Sequence, residues 1–104
     1  MKAIINHKRY DTETATKVAE YWNGLNSSDF KRISETIYRT QKGSWFIEYH
    51  GGALTEYRES CGNNSWTGSR GIKALTPAEA YLWLESHQEA DCIEEYFSSS
   101  LEDA

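Results

Sequence analysis

A chain of 104 residues, 38% of them hydrophobic, is long enough for one core and too short for two. Its aromatic content (4 Trp, 7 Tyr, 3 Phe) excludes disorder as a description and predicts a core built more from rings than from aliphatic side chains. The formal charge of −5 is unevenly placed: residues 1–75 carry eleven basic and eight acidic side chains, +3, whereas residues 76–104 carry eight acids and no Lys or Arg, −8.

Residues 2–10, KAIINHKRY, read as a short strand, a turn near Asn6-His7 and a second extended piece, a small hairpin for the edge of a sheet. Residues 11–23 carry two periodicities. Ala15, Val18, Ala19 and Trp22 fall at helical spacing, while Val18 to Trp22 also alternates. The expectation is a helical turn over residues 12–15 running into an extended segment that ends at Asn23-Gly24. Residues 24–29 are a polar loop, with Phe30 and Ile33 anchoring its return to the core.

Residues 33–52, ISETIYRTQKGSWFIEYHGG, form the centre of the expected fold, because two runs rich in β-branched and aromatic side chains meet there across Lys42-Gly43. A two-residue turn pairs Gln41 with Ser44, and so sets Arg39 opposite Phe46, Tyr38 opposite Ile47 and Ile37 opposite Glu48. One face then carries Tyr38, Trp45, Ile47 and Tyr49. The other mixes Ile37 and Phe46 with Glu35, Arg39, Glu48 and His50. A lone hairpin is unstable, so a larger sheet with a cover is required. Beyond Gly51-Gly52, residues 54–59 offer another short extended piece. Residues 61–70, CGNNSWTGSR, read as a surface loop with Trp66 pinned on the core, and residues 71–75 as a last strand.

Thr76-Pro77-Ala78-Glu79 is the sharpest local signal: an N-cap, a proline at the first helical position and a glutamate three residues after the cap make a capping box. Ala80, Trp83, Leu84 and His87 form the apolar stripe of that helix, leaving Glu79 and Glu85 toward solvent. The pattern falters over residues 88–91 and resumes with Cys92, Ile93, Tyr96 and Phe97, a second short helix after a bend. Residues 98–104 are an acidic flexible tail. The fold class expected is α+β: one domain over residues 1–104, with an antiparallel sheet of about four to six short strands covered by the C-terminal helices on the face bearing Tyr38, Trp45, Ile47 and Tyr49.

Chemistry is sparse. His7, His50 and His87 stand at no metal-ligand spacing, and Cys61 and Cys92 have no CxxC partner and read as reduced thiols. The glycines match no phosphate loop. Adjacent Glu94 and Glu95 diverge on a helix. No cofactor, no metal and no enzymatic activity are expected, and nothing resembles a membrane span or a secretory leader, so the expected location is cytoplasmic. Two functional readings follow. In the first, the protein is a non-enzymatic interaction module. The acidic ridge of Glu85, Glu89, Asp91, Glu94 and Glu95, or the 61–70 loop with Asn63 and Asn64, meets a host or phage protein with a basic surface. In the second, Arg9, Lys31, Arg32, Arg39 and Lys42 bind nucleic acid with solvent-facing rings among Tyr10, Trp22 and Phe46.

The segments KRYDTETATKVAEYWNG, SETIYRTQKGSWFIEYHGGALTEY, SCGNNSWTGS and IKALTPAEAYLWLE together resemble a family of small uncharacterised proteins carried by phages and mobile elements of Gram-positive bacteria. The likeness covers most of residues 8–97. It implies an inhibitor of a host defence complex, an anti-CRISPR-like role, as the functional expectation. His50 stands where related chains more often have Gly, and the body here is more basic, which bears on any shared partner surface.

Overall fold

The computed structural model describes residues 1–26, 28–62 and 65–103, with the backbone alone for residues 60–62 and 65–67. In chain order the elements are β1 (Lys2–Ile5), β2 (Lys8–Asp11), β3 (Thr16–Trp22), β4 (Ile33–Arg39), β5 (Trp45–Gly51), β6 (Glu59–Gly62), β7 (Ser65–Thr67), β8 (Ser69–Leu75), α1 (Pro77–Ser86) and α2 (Ala90–Phe97), followed by a 3-10 turn at Ser98–Ser100. Four strands make the central antiparallel sheet in the order β3-β4-β5-β8, and β1-β2 and β6-β7 are separate two-stranded ribbons. This is a small α+β fold, as the patterning predicts.

The central hairpin differs from expectation by one residue of register. Arg39 pairs with Trp45, Tyr38 with Phe46, Ile37 with Ile47, Thr36 with Glu48 and Glu35 with Tyr49. Its loop has three residues, not two: Thr40 N–H donates to Ser44 O at 2.8 Å, Gly43 N–H donates to Thr40 O at 2.9 Å, and Gly43 has φ +88°. A two-residue turn needs a left-handed residue, usually Gly or Asn, at its first central position, where this chain has Lys42. A three-residue loop needs only a glycine at its end. The slip moves side chains between faces. Ile37 joins Trp45 and Ile47 beneath the helices, together with Glu35 and Arg39, while Tyr38 turns to the other face and stacks on Phe46 at 5.1 Å.

The helix-side core joins Ala19, Ile37, Trp45, Ile47, Ala80, Leu84 and Ile93, with Val18, Leu75, Tyr81, Trp83, Cys92, Tyr96 and Phe97 packed around it. Ile37 and Leu84 have no exposed surface, each contributing about 1.5–3 kcal/mol of burial. The predicted capping box starts α1: Glu79 N–H donates to Thr76 Oγ1 at 3.1 Å and Thr76 N–H donates to Glu79 Oε1 at 2.8 Å. The bend after α1 is a Schellman closure with Gln88 at φ +58°, Gln88 N–H reaching Glu85 O and Glu89 N–H reaching Leu84 O. Residues 12–15 hold one helical turn, Ala15 N–H to Asp11 O at 3.1 Å, and the ambiguous segment after it is strand β3. A bulge at Lys17/Ala19 interrupts β3, and there the Cys92 thiol meets Val18 O at 3.5 Å.

The ribbon β1-β2 turns at Asn6 and His7, both at positive φ, as a two-residue hairpin. It covers one end of the second sheet face, where Tyr10 meets the buried Phe46 edge-on at 5.5 Å. Three expectations are corrected. Phe30, expected with Ile33 to anchor the loop's return, is 66% exposed, and its segment is held instead by backbone bonds, Leu54 N–H to Phe30 O at 2.8 Å and Gly52 N–H to Arg32 O at 3.0 Å. Residues 53–57 are turns rather than an extended piece, drawn close by Gly51, whose hypothetical Cβ would lie 2.7 Å from Tyr57 Cβ. Much of the 61–70 segment is the ribbon β6-β7 and the start of β8.

Candidate functional site

Of the predicted partner-contacting residues, Asn63 and Asn64 lie outside the described residues. Asp91, Glu94 and Glu95 are exposed on α2, where spacing of three and four residues puts Glu94 and Glu95 beside Asp91. Glu89, half-buried, sits at the N-cap position of α2. Burial first, then the charges of Glu89, Glu95 and Asp91, holds the Cys92 thiol above its ordinary range, so these three carboxylates share one field around a protonated thiol. Glu85 is drawn elsewhere. It accepts a hydrogen bond from the Tyr81 phenol, which is pushed up by that bond, by desolvation and by the Glu85 charge. The structure therefore assembles the ridge on α2 and leaves Glu85 on α1 engaged with its own helix.

A second cluster was not foreseen. Glu35, carried under the helices by the register of β4, accepts hydrogen bonds from Tyr57 Oη at Oε2 and from Trp83 Nε1 at Oε1, the latter 3.1 Å long. His87 Nε2 stands 4.0 Å from the same Oε1, stacked on Tyr21 at 4.2 Å and edge-on to Trp83 at 4.3 Å. Burial, then the hydrogen bond and charge of Glu35, raises the Tyr57 phenol above its ordinary range. Both carboxylate oxygens are occupied, so the cluster pins sheet to helix. The loop length around Gly43 was the signal that could have found it. Among the described residues no three His, Cys, Asp or Glu side chains are grouped to hold a metal ion.

The five cations of the nucleic-acid reading do not share a surface. Arg39 lies on the helix side, its guanidinium 5.7 Å from the Trp45 ring centroid and 5.3 Å from that of Tyr96, with Nε buried and without a hydrogen-bond partner among the described residues. Arg9 and Lys42 border a cleft of about 680 Å³ between β2 and the β4-β5 loop, with Lys8, Asp11 and Tyr10. Lys31 and Arg32 lie at the far end of β4. Tyr10 and Phe46 are 7% and 0% exposed and present no stacking surface, whereas Trp22 is 55% exposed.

Trp22 belongs to a row that the strand register creates. Trp22, Ser34, His50 and Arg70 are successive cross-strand partners over β3, β4, β5 and β8, on the face away from the helices. Arg32 Nη1 lies 3.3 Å from His50 Nδ1. Arg32, Ser34, His50 and Arg70, with Thr36, Glu48 and Tyr49, border a shallow hollow of about 260 Å³, and Trp22 stands beside it as the cross-strand neighbour of Ser34. One end of this sheet face is thus covered by the β1-β2 ribbon, and the other presents exposed His50, Arg70 and Trp22.

The fold and these surfaces define a small α+β protein with one helix-covered and one half-open sheet face. Comparison with protein-family models, with characterised proteins and with solved structures gives no match. No described helix is long and apolar enough to cross a membrane.

Proposed function

We propose that this protein is a non-enzymatic interaction module whose acidic α2 surface docks on a basic patch of a partner protein. The observation that supports it is the exposure of Asp91, Glu94 and Glu95 on one helix with no cation within 4.0 Å of them among the described residues. Asp91 in the first turn suits the helix N-terminus, but like charges at three- and four-residue spacing destabilise the helix by about 0.2–0.5 kcal/mol a pair. A basic partner surface reverses that sign. Inside, the Glu35 carboxylate is engaged by Tyr57 and Trp83 and so ties sheet to helix. Taken with the resemblance to proteins of phages and mobile elements, the partner class is a host nucleic-acid-handling defence complex of CRISPR-Cas type, whose grooves for nucleic acid are basic and are blocked by an acidic occupant.

The test is a pull-down from host lysate on the immobilised full chain, with mass-spectrometric identification of what is retained. A basic protein should be held at low salt and released as salt rises. The triple variant Asp91→Lys, Glu94→Lys, Glu95→Lys, checked for an unchanged melting temperature, should lose it. Retention of nothing, or equal retention by the triple variant, ends the proposal.

A further inference from the structure

We propose that the open end of the sheet is a site for single-stranded nucleic acid, in which Arg32, His50 and Arg70 hold a phosphate and Trp22 stacks a base. The four-strand row from Trp22 to Arg70 spans roughly 14 Å at ordinary strand spacing. A guanidinium has no acceptor, so the Arg32–His50 contact of 3.3 Å requires the lone pair at His50 Nδ1. The ring proton is therefore on Nε2, which is left as a further donor, and the Arg32 fork is held in place. Neither Arg32 nor Arg70 has a carboxylate within 4.0 Å among the described residues, and Ser34 and Thr36 bring hydroxyls to the same hollow. Forked donors with no carboxylate partner, beside hydroxyls, suit phosphate oxygens.

Trp22 distinguishes a nucleic-acid strand from an acidic peptide as the occupant. Its ring is 55% exposed, yet its Nε1–H is tied to Leu25 O at 2.5 Å, so it is a held platform rather than a loose side chain. An acidic peptide would use the arginines and leave that ring idle, whereas a base stacks on it. Two carboxylates stand in the neighbouring row. Glu20 is paired with Lys17 at 3.5 Å. Glu48 borders the hollow and opposes any anion there. The acidic helices lie across the sheet, on its other face, so this site is independent of the protein-docking surface proposed above.

The experiment is fluorescence anisotropy of a short labelled oligothymidylate with the full chain at low salt, titrated also with salt. The expected result is saturable binding whose log K falls with log salt by about 0.7 per phosphate contacted. Arg70→Ala and Arg32→Ala should each flatten that slope by about one contact's share. Trp22→Ala should weaken binding at least about fivefold at unchanged slope, Glu48→Gln should tighten it, and Lys8→Ala, in the far cleft, should change nothing. Unchanged melting temperatures check the folds, and Arg70→Ala, on an exposed side chain of the edge strand, carries the test should Arg32→Ala be unstable. No anisotropy change with the wild-type chain overturns the proposal. So does equal binding by the arginine variants, or displacement of the probe by polyglutamate or inorganic phosphate as readily as by unlabelled oligonucleotide.

Discussion

Glu35 illustrates what one side chain's placement decides. On the solvent face it would be one more surface acid. Under the helices it accepts from Tyr57 and Trp83 and ties β4 to α1 and to the turns after β5. Because the Tyr57 phenol is raised in the fold, burial being the largest cause, its proton is kept at a pH where the unfolded chain loses it, near pH 10. The stability from that bond is fully present below about pH 10 and is lost as pH rises further. The melting temperature of the wild-type chain should therefore fall more steeply between about pH 9 and pH 11 than that of Tyr57→Phe. Tyr38 is also raised, by burial and then by Glu48 and Glu20, so the variant should retain part of the slope. Equal slopes would remove the Tyr57–Glu35 bond from this account.

At the scale of elements, two short motifs set boundaries that packing then uses. The Thr76 capping box satisfies the first orphan N–H groups of α1 and places Ala80 and Leu84 against the sheet. Thr76→Ala should destabilise the protein by about 1 kcal/mol in urea unfolding. The loop closing β4 and β5 depends on Gly43 at φ +88°, where an added Cβ would also approach Arg39 Nη2 at 3.2 Å. Gly43→Ala should cost about 1–2 kcal/mol by the same measurement. A loss below about 0.3 kcal/mol for either variant would show that its motif does not hold the element's end.

For the molecule as a whole, the central sheet is covered on one face by α1 and α2 and at one end of the other by β1-β2. Trp45 is the hinge of the first cover, 3% exposed between Tyr96 and Phe97, and Tyr10 on Phe46 is the contact of the second. Trp45→Ala should destabilise by about 3–5 kcal/mol, and Trp83→Ala by less because Trp83 is only half-buried. Tyr10→Ala should also lower the whole melting transition, with tryptophan fluorescence and far-ultraviolet circular dichroism falling together as one cooperative unit. Non-coincident curves would mean that the ribbon melts separately from the sheet.

Much was legible in the sequence wherever the signal is local. The capping box, the turn at Asn6-His7, the bend near residue 88 and the alternation of the hairpin strands depend on neighbours a few residues away, and each stands where residue type alone puts it. The α+β class and the helix-side burial of Trp45 and Ile47 follow from periodicity of the same short range. Register is different. One extra loop residue at Gly43 exchanges the faces of β4, and composition leaves both exchanges plausible because each face holds apolar side chains. That single step decided the placement of Glu35, Arg39 and Tyr38, and so the Glu35 cluster. The row of Trp22, Ser34, His50 and Arg70 draws on residues 48 positions apart in the chain, brought side by side only by backbone hydrogen bonding across four strands. The chain's own order therefore determined most of its elements and its charge segregation, while long-range pairing determined the ribbon β6-β7 and which side chains share a surface.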